Sequence, residues 1–109
     1  MIIALKLTAA QLAYLDTFFE SYCEETKIKF GTLSKEEKTT FSIAQDVADK
    51  LHTKARTANR SAKKKEYKVS FKYHEAHAIN HFISYDVSND DQYISSVAQN
   101  IYSQLDPKL

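Results

Sequence analysis

The stretch YKVSFKY, residues 67–73, decides the fold. Tyr67, Val69, Phe71 and Tyr73 fall on one side of it, and Lys68, Ser70 and Lys72 on the other. Strict period-two alternation of aromatic and β-branched residues with polar ones predicts a half-buried strand over 67–73. If these residues were instead the first turns of a longer third helix, the chain would be all-helical. The alternation favours the strand, so the expectation is one mainly helical α+β domain spanning 1–109, with four helices and two short strands.

The second strand is expected in the apolar run IIALKL, residues 2–7. Set LKLTAAQ (5–11) against FKYHEAH (71–77): Leu5 meets Phe71, Lys6 meets Lys72, Thr8 meets His74 and Gln11 meets His77. Both halves then run strand, cap, helix, loop, helix, which suggests a β-α-α internal duplication. Two strands related by a two-fold axis normal to the sheet pair antiparallel. In this register His74 is a helix N-cap and His77 its third residue.

The helices announce themselves by their caps. Thr8 with Gln11, and Ser34 with Glu37, have capping-box spacing. The first helix carries Leu12, Leu15, Phe18, Phe19, Tyr22 and Cys23 within an arc of about 140°, which places Cys23 on the buried face. The second carries Phe41, Ala44, Val47, Ala48 and Leu51, and beyond them only Ala55, Ala58 and Ala62. Unbroken from 35 to 63 it would be roughly 43 Å long. Its alanine half therefore either projects past the core or breaks near 57–61. A third helix is expected over Ala76, Ile79, Phe82 and Ile83. Ser88 or Asn89 is expected to cap the last, which carries Tyr93, Ile94, Val97, Ala98, Ile101, Tyr102 and Leu105, with Pro107 beyond its end.

Composition removes several chemistries. One glycine among 109 residues leaves no phosphate-cradling loop and no dinucleotide fingerprint. There is no G-x-S-x-G elbow, and the carboxylates gather at helix starts, where they complement the macrodipole. The lone Cys23 cannot form an internal disulfide, and MIIALKL lacks the basic flank of a signal peptide. With no run near the ~18 apolar residues of a membrane span, the expectation is a cytoplasmic protein that is not an enzyme and uses no cofactor. No small-molecule ligand can be identified.

Three of the four histidines, His74, His77 and His81, lie at i, i+3 and i+7. They fall on the helix face opposite the apolar residues. The spacing is not H-E-x-x-H, and structural zinc usually recruits thiolates, so a solvated polar face is expected and no metal. His52 is expected at the surface beside a basic cluster.

Charge is segregated. Residues 50–72 hold nine basic residues against one acid, a net +8, while the remainder holds six against thirteen, a net −7. Lys50, Lys54, Arg56, Arg60, Lys63, Lys64 and Lys65 are the candidate contacts for an acidic partner or a nucleic acid. The expected function is a small non-enzymatic protein-interaction module, an adaptor or accessory protein. Its expected partner is a protein, self included, because a two-stranded sheet leaves two open edges and thirteen Tyr and Phe residues exceed a small core's needs. The alternative is nucleic-acid backbone binding through 50–72.

Overall fold

The computed structural model describes residues 1–60 and 66–109, without the side chains of residues 59 and 60. In chain order come β1 (Ile2–Leu7), α1 (Ala9–Ile28), α2 (Lys35–Arg60), β2 (Tyr67–Lys72), α3 (Tyr73–Ile83) and α4 (Gln92–Leu105). Short 3-10 turns follow α1 (Phe30–Thr32) and α4 (Asp106–Lys108). Among the described residues the fold is therefore mainly helical α+β, with four α-helices and one two-stranded sheet.

The strands pair antiparallel, with Leu5 opposite Val69 at the centre. Ile3, Leu5, Leu7, Val69 and Phe71 point inward and are buried, while Ile2, Lys6, Lys68, Ser70 and Lys72 point to solvent. The inner face packs into one core with Leu12, Leu15 and Phe19 of α1, Val47 and Leu51 of α2, Ile79 and Ile83 of α3, and Ile101 and Leu105 of α4. Phe82 of α3 gathers Phe18, Phe19 and Tyr22 of α1, with ring centroids 6.4, 5.7 and 4.6 Å away. These four aromatics form a seam between α1 and α3, while Phe30, Tyr73, Tyr85 and Tyr93 are exposed.

Several boundaries differ from the sequence expectation. Tyr73 is the first residue of α3, not the last of the strand. Lys72 is the N-cap of α3 and Glu75 its third residue, in place of His74 and His77. The Glu75 carboxylate accepts the Lys72 N–H at 2.7 Å. The caps of the two strand–helix units therefore correspond at an offset of 64 residues, Thr8 to Lys72 and Gln11 to Glu75. At that offset Leu5, Leu7, Leu12, Leu15 and Phe19 fall on Val69, Phe71, Ala76, Ile79 and Ile83, all buried. A two-residue slip preserves strand alternation, so the period-two pattern cannot choose between offsets, and the caps do. Asp91, not Ser88 or Asn89, caps α4, accepting from the N–H groups of Tyr93 and Ile94.

The alanine half of α2 does not project. Ala55 and Ala58 are 7% and 2% exposed and belong to the core. The Tyr67 hydroxyl of β2 donates to the Ala58 carbonyl at 3.3 Å. Small side chains let β2 approach the helix backbone this closely. At about 1.5 Å per residue the 26-residue α2 nearly spans the longest dimension of the molecule, 43 Å. Position 62 and the helix end expected near 63 lie outside the described residues.

Candidate functional site

The sheet edges are occupied from within. The Gln104 side chain of α4 accepts the Lys6 N–H at 3.2 Å and donates to the Lys6 carbonyl at 2.9 Å. Lys108 donates to the Ala4 carbonyl at 2.7 Å, and on the other edge Lys50 donates to the Ser70 carbonyl at 3.3 Å. These contacts blunt the edges that would otherwise invite another strand.

Lys50 is held by contacts within the fold. Its ammonium lies 2.9 Å from the Glu75 carboxylate and 5.3 Å from the centre of the Phe71 ring. Burial works to raise the Glu75 pKa, but the Lys72 N–H and the Lys50 ammonium outweigh it and hold the carboxyl below the usual glutamate range. Lys54 and Arg56 are exposed, with no ion pair among the described residues. Positions 63–65, and the side chain of Arg60, lie outside the described residues. Lys68 and Lys72, with Lys6 directly opposite Lys68, make the outward sheet face cationic.

The counterpart is a groove on the outer side of the α1–α2 pair. Asp16, Glu20 and Glu24 stand along α1 at successive i, i+4 positions, and Asp46 and Asp49 face them from α2. Gln45, Ala48, His52, Thr53 and Cys23 complete the lining, which contains no Lys or Arg. Like charges at i, i+4 repel, and His52 is the one basic side chain in the lining. Cys23 is half-buried here, at the rim of the core and not inside it. Burial, then the nearby Asp49 charge, push its thiol above the ordinary value, which keeps it protonated and a poor nucleophile.

His52 lies within this groove. Its Nδ1 is 3.3 Å from Asp16 Oδ1. Ligand atoms of Asp16, Glu20 and His52 all lie within 4.8 Å of one another, which no other three His, Cys, Asp or Glu side chains achieve among the described residues. The basic residues around it in sequence conceal this acidic setting, because the carboxylates come from α1.

His74, His77 and His81 are exposed along a shallow groove between α2 and α3, with Thr40, Ile43, Tyr73 and Phe82 beside them. A third, more apolar groove runs between α1 and the start of α4, lined by Tyr14, Phe18, Tyr22, Tyr93 and Ile94. At its edge the Tyr14 hydroxyl donates to Asp86 at 2.6 Å, and burial, then this bond and charge, raise the Tyr14 pKa.

Fold and site together define a small α+β helical protein with an acidic helical groove and a cationic sheet face. No protein family, curated protein or solved structure matches this chain.

Proposed function

We propose that this chain is a small non-enzymatic protein-interaction module whose acidic α1–α2 groove docks a basic surface of another protein, a second copy of itself being the occupant. What carries the reading is the groove lining: five carboxylates without a single Lys or Arg. The matching charge exists on the same chain, in Lys6, Lys68 and Lys72 on the sheet face and in the exposed Lys54 and Arg56. Complementary patches of this kind set orientation and association rate more than affinity, so the association is weak and salt-sensitive. Because groove and sheet face are different surfaces, the contact is heterologous.

The test is sedimentation velocity at about 50 and 300 mM salt, where the screening length drops to below ~10 Å. Wild type should associate at low salt only. An Asp46→Lys/Asp49→Lys variant and a Lys68→Glu/Lys72→Glu variant should each be monomeric, and mixing them should restore a heterodimer. A wild-type monomer at every concentration and salt would refute self-docking.

The cationic sheet face also supports a second reading, contact with a nucleic-acid backbone. Fluorescence anisotropy with labelled single- and double-stranded oligonucleotides separates the two. Phosphate contacts would give log affinity falling by about 0.9 per phosphate per unit of log salt on duplex DNA. That binding would be lost in Lys54→Glu/Arg56→Glu and in Lys68→Glu/Lys72→Glu.

A further inference from the structure

We infer that Asp16, Glu20 and His52 form a binding site for a divalent first-row transition-metal ion, of which Zn²⁺ is the natural probe. Two carboxylates and one imidazole are a mixed oxygen and nitrogen set. Imidazole directs such a set toward zinc, cobalt, nickel or copper and away from magnesium or calcium, which take oxygen ligands.

Asp16 and Glu20 lie one turn apart on α1 and so share a face, while His52 projects from the helix packed beside it. Their ligand atoms lie within 4.8 Å of one another. Donors on one tetrahedral zinc ion at about 2.0–2.2 Å stand roughly 3.3–3.6 Å apart, so the three side chains must draw in by about 1 Å. Small rotamer adjustments of exposed side chains close that difference. Three protein donors leave positions for water, as in an open site.

The simpler account is a His52–Asp16 ion pair. It neutralises at most one carboxylate, leaving Glu20 and the three other groove carboxylates without an ion pair among the described residues. A divalent ion relieves that repulsion with the imidazole neutral. The inference shares Asp16 and Glu20 with the docking reading but does not rest on it. The histidine stripe on α3, although richer in imidazole, does not bring its ring nitrogens together in this way.

The experiment is isothermal titration of untagged protein with Zn²⁺, backed by elemental analysis after dialysis. At about 300 mM salt charge docking is screened, so its failure would not imitate failure of metal binding. One equivalent should bind, and binding should weaken in acid as protons compete for the ligands. His52→Ala and Glu20→Gln, both exposed and expected to fold, should each reduce affinity by more than the roughly 10–100-fold lost when an outer-sphere partner is removed. His74→Ala/His77→Ala/His81→Ala should retain the full equivalent. No stoichiometric uptake, uptake indifferent to His52→Ala, or uptake abolished by the triple variant would each overturn the assignment.

Discussion

The side-chain amide of Gln104 pairs with both the N–H and the carbonyl of Lys6, at 3.2 and 2.9 Å, across 98 positions of sequence. One residue of α4 thereby imitates the peptide of a third strand. It ties the last helix to the first strand and closes an edge. Gln104→Ala should destabilise the protein by about 1–2 kcal/mol, the worth of two modest hydrogen bonds. That lowers the thermal midpoint by several degrees in a domain of this size. Gln104→Glu keeps the acceptor and loses the donor, and should fall between. Circular dichroism melts of the three proteins rank them, and an unchanged midpoint in Gln104→Ala would show that the pairing is dispensable.

Lys50 and Glu75 should behave as an internal pair. Lys50→Met leaves a carboxylate at 5% exposure without its cation, at a cost of about 1.5–3 kcal/mol by analogy with charged hydrogen bonds. Glu75 is held below its unfolded-state value. Its contribution is therefore complete above the unfolded glutamate pKa of about 4.3 and disappears as pH falls through the lower folded value. Urea midpoints measured from pH 6 down to 3 should fall more steeply in wild type than in Glu75→Gln.

Ala58→Leu tests whether the C-terminal half of α2 is packed. On a projecting helix the change would be neutral, since leucine is a good helix former. Against Tyr67 it overfills the interior and should cost about 1–3 kcal/mol, read from urea denaturation.

Cys23 should be slow toward thiol reagents. A half-buried thiol with a raised pKa holds little thiolate at pH 8. Its reaction with a chromogenic disulfide should therefore lag well behind that of free cysteine and accelerate in denaturant. A rate matching free cysteine in buffer would contradict the placement.

What the sequence reveals here is what repeats over short distances. Thr8 with Gln11 and Ser34 with Glu37 close the capping boxes their spacing implies. The alternation of Val69 and Phe71 yields the strand. A two-residue shift between the two strand–helix units is invisible to that alternation, and Lys72 lacks the short polar side chain of a usual helix cap, so spacing alone points to His74. The acidic groove was hidden for a different reason. His52 meets Asp16 across 36 residues, and its immediate neighbours in sequence are cationic. Lys50 reads as one more surface lysine until the fold brings Glu75 to it. In each case the deciding partner lies on another element, beyond the reach of local periodicity.

The pairing of Leu5 with Val69 also has a temporal side. A strand at the start of the chain waits for one 64 residues later, and closing a loop that long costs roughly 4 kcal/mol of chain entropy before any strand contact returns it. The α1–α2 hairpin, joined by a short turn, needs no such wait. A ribosome therefore releases the two long helices first, with the apolar side of Ile3, Leu5 and Leu7 uncovered. The nascent chain stays sticky until β2 emerges and the first strand finds its mate.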